Sequence, residues 1–132
     1  MKWEIRYLPE TEDDFLNFDK PQQTTILKAI KKVQENPLPQ NEGGYGKPLG
    51  KKHNRNLTNF LKIKLRSEGI RIVYKLIKKD NQMLIVVIGI REDDEVYDIA
   101  YKRGKTHNFF DGTKQKNSVG NQAGGAFFTM LP

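Results

Sequence analysis

The stretch from Phe60 to Tyr97 constrains the fold most, because it carries the pattern of three consecutive strands followed by the start of a helix. Apolar residues and cations alternate strictly from Leu61 to Arg66. Because successive side chains of a strand point to opposite faces, this alternation predicts one core face and one cationic face. The cationic face carries Lys62, Lys64 and Arg66.

Two further strands are predicted after this cationic strand. Turn residues at Ser67–Gly69 lead into Ile70–Lys79, and Gly69 can supply a positive φ if the turn needs one. Apart from Gly89, the segment Met83–Ile90 has apolar residues at both its odd and its even positions. This pattern is typical of a central strand that is covered on both faces.

The N-terminal part predicts a strand and a helical hairpin. Charged and apolar residues alternate over Lys2–Leu8, as in an amphipathic strand. Thr11 is followed by acids, which is typical of a capped helix N-terminus. Phe15, Leu16 and Phe18 are the expected buried side of this first helix. A second helix, with Asp19 as its cap and Pro21 in its first turn, presents an apolar stripe of Ile26, Ala29, Ile30 and Val33.

The rest of the chain predicts a long loop, one more helix and an irregular extension. Residues 37–59 are rich in Pro, Gly and Asn and show no periodicity. Four acids, Glu92–Glu95, precede a helical pattern in which Asp93 or Asp94 is the expected cap, and a metal site made from these acids is a weaker alternative. Residues 104–132 contain five of the 11 glycines and no periodic pattern.

These elements predict an α+β fold. An N-terminal strand and a helical hairpin pack on a small antiparallel sheet of about four strands, followed by a short C-terminal helix. We expect this domain to cover residues 1–103, and residues 104–132 to form a flexible, irregular C-terminal extension.

Composition excludes several classes of function. The 132-residue chain has no cysteine, which excludes a disulfide framework and a thiol nucleophile. We expect no signal peptide and no membrane span, since no apolar run approaches about 20 residues.

The net charge of +7 is concentrated, because 11 of the 23 Lys and Arg residues lie between Lys47 and Lys79 against one acid, Glu68. Such a field attracts RNA, DNA or an acidic protein segment, and the alternative is a solvated basic face.

Clustered cations are compatible with one kind of metal-free chemistry. RNA cleavage by its own 2'-hydroxyl needs positioning and charge stabilisation, because the nucleophile belongs to the substrate. The two histidines, His53 in the predicted loop and His107 in the predicted extension, give little support to a histidine-pair ribonuclease. The pattern of charge is equally compatible with binding alone.

Two motifs extend this interpretation. The segments "KIKLRSEGIRIVY" and "VIGIREDDEVYDIA" resemble the RelE branch of the RelE/ParE toxin superfamily of bacterial type II toxin–antitoxin systems. The resemblance implies a cytoplasmic, ribosome-dependent endoribonuclease (an mRNA interferase) that cleaves mRNA in the ribosomal A site without a metal or cofactor. It implies as partners a RelB-like cognate antitoxin, the ribosome and mRNA, operator DNA only through the antitoxin complex, and no membrane.

The resemblance also implies a catalytic set of Lys62, Lys64, Arg71, Arg91 and Tyr97. Lys64 is the expected proton acceptor from the 2'-hydroxyl, and Arg71 is expected to hold the phosphate. Arg91 is expected to stabilise the leaving oxygen, while Tyr97 stacks on a base or orients the sugar. Four further cations are expected to bind RNA: Lys51, Lys52, Arg55 and Arg66.

The sequence departs from the family pattern at Leu49, where the family often has a basic residue before the glycine that aligns with Gly50. Lys51 and Lys52 can substitute for it. Two other functions remain open on the sequence. One is a ParE-like toxin that inhibits DNA gyrase without nuclease chemistry, against which the strand lysines argue, and the other is an inactive toxin-like binding protein.

Overall fold

The structure is a computed structural model that describes residues 3–52, 55–90 and 92–109, with the backbone alone at residues 51, 52, 55, 93 and 94. Within these residues the chain forms three helices, α1 (Pro9–Leu16), α2 (Lys20–Gln34) and α3 (Asp93–Thr106). It forms five strands, β1 (Glu4–Tyr7), β2 (Lys47–Lys52), β3 (Arg55–Leu65), β4 (Ile70–Ile77) and β5 (Gln82–Gly89). The predicted α+β class and the order of elements are confirmed.

The five strands form one sheet in the order β1-β5-β4-β3-β2. Neighbours from β2 to β5 are antiparallel, whereas β1 pairs with β5 in parallel. The first five residues of β3 come from the segment predicted to be a loop, and so does the additional strand, β2. It carries no alternation because its pairing with β3 is interrupted by a register shift between Pro48 and Gly50, and Gly50 has a φ of 63°. A proline and a bulge are both typical of an edge strand.

The sheet has an apolar core on each face. One core holds Met83 and Ile85 of β5 against Phe15 of α1 and the α2 stripe of Ile26, Ile30 and Val33. The other holds Leu84 and Val86 of β5 against the α3 residues Val96, Tyr97 and Ala100. The prediction that this strand is covered on both faces is therefore confirmed, and α3 alone of the three helices packs on the second face.

Local signals located the start of one helix correctly and misplaced two others. The α2 cap is confirmed, since the Asp19 carboxylate accepts from the Gln22 backbone N–H at 2.9 Å and the Gln22 side chain accepts from the Asp19 N–H at 3.2 Å. The predicted Thr11 cap is wrong, because α1 begins at Pro9. Likewise α3 begins at Asp93, so Glu92 occupies the cap position and makes no side-chain capping bond. Leu16, expected to be buried, is 64% exposed.

Thr11 is instead a buried connection between α1 and β5. Its hydroxyl lies 2.9 Å from the Ile85 carbonyl oxygen and 2.6 Å from that of Val86, and it can donate to one of them at a time. The β4–β5 register passes from the Val73–Val87 pair to the Tyr74–Ile85 pair, which leaves Val86 without a β4 partner. The bulge thus makes the Val86 carbonyl available to side chains.

Asp14 and Arg103 join helices α1 and α3 to strand β5. The Arg103 guanidinium donates to the two Asp14 carboxylate oxygens at 2.8 and 3.1 Å, and also to the Val86 carbonyl at 2.8 Å. The Ile88 backbone N–H donates to the same carboxylate at 3.0 Å. Both side chains are mostly buried. A bidentate pair of this kind fixes orientation as well as adding energy.

The chain continues to pack beyond Arg103, the predicted end of the domain. Helix α3 runs to Thr106, His107 Nε2 lies 3.1 Å from a Glu10 carboxylate oxygen, and the Phe109 ring centroid is 6.3 Å from that of Phe60. Residues 110–132 of the predicted extension lie outside the described residues. In the part of the chain that the structure describes, no helix is long and apolar enough to cross a membrane.

Replacing Arg103 by Met should reduce the free energy of unfolding by about 2–3 kcal/mol, because it leaves the mostly buried Asp14 carboxylate without its charged donor. The matched control is Lys102→Met on the same helix. Lys102 pairs with Asp98 at 3.2 Å in an exposed i,i+4 arrangement, whose loss should cost about 0.5 kcal/mol or less. Urea denaturation measures both values. Equal losses in the two variants would show that the buried pair has no special role.

Candidate functional site

The register of β3 and β4 brings three of the predicted catalytic residues to one face. Lys64 is paired with Arg71 across the strands, and Lys62 with Val73. Paired residues share a face and have Cβ atoms about 5 Å apart, and residues two apart on one strand share a face as well. Val73 belongs to the core beneath α3. Lys62, Lys64 and Arg71 therefore lie on the face on which α3 packs.

Helix α3 adds Tyr97 to this group. The Lys62 ammonium nitrogen donates to the Tyr97 hydroxyl oxygen at 2.7 Å and lies 5.5 Å from the ring centroid. The tyrosine is only 4% exposed, since its ring packs in the core between α3 and the sheet. The ring therefore has a packing role, and the hydroxyl is the part of the side chain that meets the cations.

A cleft of about 220 Å³ lies beside these residues at the β3–β4 turn; we call it the cationic cleft. The glycine of the turn has a φ of 69°, so the positive φ suggested for Gly69 is confirmed. The Gly69 carbonyl accepts a long hydrogen bond of 3.4 Å from the Arg71 guanidinium. The lining is made by Lys64, Leu65, Arg66, Gly69, Ile70 and Arg71. Three cations around a small open volume suit a phosphate group.

A larger cleft, about 440 Å³, lies between β3, β4 and the segment that follows Pro39. Of the predicted catalytic residues that the structure describes, Lys62, Lys64, Arg71 and Tyr97, none lines it. Its lining residue Lys78 has Glu42 as an ionic partner at 3.9 Å, so the charge there is partly neutralised. By volume this cleft is the better candidate for a binding site, but the chemistry of the lining residues favours the smaller cationic cleft.

The predicted RNA-binding cations do not form one cluster. Arg66 lines the cationic cleft. Lys52 pairs with Arg55 at one end of the β2–β3 ladder, whereas Lys47 pairs with Lys62 at the other. At about 3.3 Å per residue, Arg55 and Lys62 are roughly 20 Å apart along β3. The backbones of Lys51, Lys52 and Arg55 are therefore remote from the cationic cleft, and their side chains lie outside the described part of the structure.

Arg91 also lies outside the described residues, as does His53. Gly89, the last residue of β5, pairs with Arg71. The chain thus leaves the sheet beside Arg71, two residues before Arg91. The prediction that Arg91 completes the cationic group remains a prediction.

Lys75 is a cation of the same sheet face that the sequence did not single out. Its ammonium lies 5.7 Å from the ring centroid of Phe60, its cross-strand partner. Burial lowers the pKa of the Lys75 ammonium. The sequence does indicate this position, because Arg71, Val73 and Lys75 are two residues apart on β4 and therefore share one face. Their burial, however, depends on α3.

The metal alternative gains no support from the described side chains. Among them, no group of three or more His, Asp and Glu residues could hold a metal ion. Of the acidic run Glu92–Glu95, the side chains of Asp93 and Asp94 lie outside the described set.

The described residues form a five-stranded α+β domain with cations gathered at the β3–β4 turn. No family model matches the sequence. A RelE-like toxin protein of Escherichia coli is 27% identical over 103 residues, which cover 78% of this chain and 98% of the relative. The mRNA interferase toxin RelE of Escherichia coli strain K12 is 43% identical over 49 residues, which cover 37% of this chain and 52% of that protein.

Solved structures share the fold. A mutant of the E. coli toxin RelE in the free state superposes with a TM-score of 0.61 at 24% identity, over 78% of this chain and 98% of that one. RelE in the intact E. coli RelBE toxin–antitoxin complex gives a TM-score of 0.52 at 21% identity, over 68% and 98%. Together with the sequence relatives, this likeness shows that the chain is similar to RelE toxins and shares their fold.

Substitutions at Tyr97 should separate its packing role from its hydroxyl. Tyr97→Ala removes a buried ring and should lower the free energy of unfolding by about 3 kcal/mol. Tyr97→Phe keeps the ring and removes only the acceptor of Lys62, so it should cost about 1 kcal/mol or less. Urea denaturation of both variants tests this difference. A large loss in Tyr97→Phe would mean that the hydroxyl bond stabilises α3 more than the ring does.

Lys75 should make stability depend on alkaline pH. Because its pKa in the folded protein is below the ordinary 10.5, the unfolded chain binds more protons and stability rises as pH increases toward 10.5. Lys75→Met removes this contribution. We expect the variant to be more stable than the wild type at pH 7, with the difference shrinking as pH rises, in urea denaturation at several pH values. A difference that is constant with pH would contradict this origin.

Proposed function

We propose that this RelE-like toxin is a ribosome-dependent endoribonuclease that cleaves mRNA in the ribosomal A site by attack of the substrate's own 2'-hydroxyl. The observation that carries the proposal is the placement of Lys62, Lys64 and Arg71 on one sheet face, with the Tyr97 hydroxyl 2.7 Å from Lys62. The relative named mRNA interferase toxin RelE supports it.

In the proposed reaction, the scissile phosphate occupies the cationic cleft. Arg71 and Arg66 bind its non-bridging oxygens and stabilise the charge that develops on them. Lys64, paired with Arg71 across the strands, accepts the proton of the 2'-hydroxyl in its neutral amine form and becomes an ammonium. The 2'-oxygen then bonds to phosphorus and the bond to the 5'-oxygen breaks. The products are a 2',3'-cyclic phosphate and a 5'-hydroxyl.

The leaving 5'-oxygen needs a positive charge and a proton. We assign the charge to Arg91, which follows the strand that ends beside Arg71. Arginine releases a proton with difficulty, so a water molecule held near it is the donor. The charge stabilisation in this scheme comes from side chains, and the reaction needs no metal or cofactor.

The structure narrows the role proposed for Tyr97. A ring that is 4% exposed offers little surface on which a base can stack. We therefore favour its hydroxyl as an anchor that directs the Lys62 ammonium toward the substrate, with orientation of the sugar as the alternative. A base can stack on this ring only if α3 moves.

The proposed partners follow from the relatives. We propose that a RelB-like antitoxin binds and neutralises this toxin, because its structural neighbours include RelE in the intact RelBE complex. The ribosome and its mRNA are the proposed targets, which places the protein in the cytoplasm. Operator DNA is proposed to be bound only through the antitoxin complex. Of the predicted extension, residues 110–132 are proposed to lie outside the catalytic domain.

Primer extension on translating ribosomes tests the activity. The wild type should cut mRNA in register with the A-site codon, and Lys64→Ala or Arg71→Ala should each reduce the rate about 100-fold or more, by analogy with the removal of one charge-stabilising group. The matched control is Lys28→Ala, because Lys28 is an exposed cation on α2 outside the described clefts. It should cut at the wild-type rate.

A ribosome-free reaction completes the test and should give no cuts. Absence of cuts with folded wild-type protein and ribosomes would contradict the proposal. Inhibition of DNA gyrase would then be measured by a supercoiling assay. Equal activity of Arg71→Ala and wild type would instead show that another part of the chain carries the reaction.

A further inference from the structure

A second cleft, about 300 Å³ in volume, adjoins the cationic cleft; we call it the Tyr45 cleft. It lies between α2, the segment before β2 and an uncovered edge of β3. The edge is uncovered because β2 first pairs at Lys47 with Lys62. From that pair the β2–β3 register runs away from residues 63–65, toward the pair of Lys52 and Arg55. The lining is made by Ala29, Lys32, Val33, Tyr45, Lys47, Lys62, Ile63, Lys64, Leu65 and Arg66.

From this cleft we propose a second binding site, one for a single-stranded RNA nucleotide that adjoins the scissile phosphate. Tyr45 stacks on its base, while Lys32 and Lys47 bind the neighbouring backbone phosphates. This inference rests on the proposed function, because the scissile phosphate is placed there in the cationic cleft. It assigns substrate binding to three residues outside the predicted catalytic and RNA-binding sets.

Tyr45 is an exposed aromatic residue on an anchored backbone. Its side chain is 47% exposed, yet its backbone N–H donates to the Asn36 carbonyl at 2.9 Å. The next residue, Gly46, is buried, and a Cβ there would collide with the Tyr74 hydroxyl and the Leu61 side chain. The Tyr74 hydroxyl itself donates to the Pro37 carbonyl at 2.8 Å. An aromatic side chain held in this way loses little freedom when it binds a base.

The charge around Tyr45 suits the backbone of RNA. The Lys32 ammonium is 5.5 Å from the centre of the Tyr45 ring. Lys47 stands opposite Lys62 across the β2–β3 pair, so their Cβ atoms are about 5 Å apart. The ten residues that line the cleft include five cations and no acid. A cationic groove with an aromatic platform is how proteins commonly bind single-stranded nucleic acid.

The two clefts adjoin at β3 and share part of their lining. Lys64, Leu65 and Arg66 line both of them. An RNA strand with one phosphate between Lys64 and Arg71 therefore enters the Tyr45 cleft with an adjoining nucleotide. An acidic peptide would also meet the cations, but it would make no use of an exposed aromatic face. These observations favour RNA as the ligand.

Fluorescence anisotropy with a labelled, fully 2'-O-methylated RNA hexamer tests the site, because this probe cannot be cleaved. Tyr45→Ala in the full chain should weaken binding about tenfold, which corresponds to the loss of one base stack. Tyr45→Phe keeps the ring and should bind within about threefold of the wild type. The side chain is exposed, and unchanged urea midpoints in both variants would show that folding is retained.

The lysines have their own matched control. Lys32→Ala should weaken binding and reduce the salt dependence of log K by about 0.7, the value for one phosphate contact on a single strand. Lys105→Ala removes another lysine that lies over a tyrosine, 5.3 Å from the Tyr101 ring, in a place outside both clefts. It should leave the affinity and its salt dependence unchanged.

Three outcomes would overturn the inference: no binding of the hexamer by wild type, equal binding by wild type and Tyr45→Ala, or Tyr45-dependent binding of a poly-glutamate peptide that competes with RNA. The ribosome assay distinguishes this failure from failure of the proposed function. Codon-register cuts that need Arg71, together with binding that ignores Tyr45, would remove only the second site. Tyr45-dependent binding without cuts would keep the site and remove the nuclease.

Discussion

The ion pair between Asp14 and Arg103 is the interaction on which the arrangement of this domain depends. It joins α1 to α3 across the sheet, and both partners also bond to the backbone of β5, at Val86 and Ile88. Because α3 alone among the three helices covers the second face, its position decides where Tyr97 stands. The contact between Tyr97 and Lys62 is thus secured through Arg103, which lies on the same helix six residues further along and is held by Asp14 of α1.

The candidate site lies where regular pairing ends. Strand β3 continues beyond its last β2 partner, and the β3–β4 turn closes with a glycine in a left-handed conformation. Cations can concentrate there because the core beneath them is completed by the other strands and by α3. The same arrangement leaves Lys75 partly desolvated against Phe60. One sheet face therefore holds its cations in two different environments. Lys75 lies against the core, whereas Lys64 and Arg71 line the open cationic cleft.

Features set by neighbours in the sequence were predictable, and features set by distant partners were not. The second half of β3, the strands β4 and β5, the α2 stripe and the Asp19 cap depend on local periodicity and on residues three or four positions apart. The role of Thr11 could not be predicted, because its carbonyl partners, Ile85 and Val86, are 74 and 75 residues away. Strand β2 was missed because its bulge removes the alternation. The separation of Arg55 from Lys62, and the exposure of Tyr45, follow from register and loop hydrogen bonds that composition does not show.

The parallel pairing of β1 with β5 has a consequence for folding during synthesis of the chain. β1 leaves the ribosome first, but its partner begins at Gln82, so the first strand and α1 must wait until most of the domain has been synthesised. Strands β2 to β4 can form hairpins in sequence during that interval. The helix that carries Tyr97 follows later still. Synthesis of nearly the whole described chain must therefore precede assembly of its cationic site.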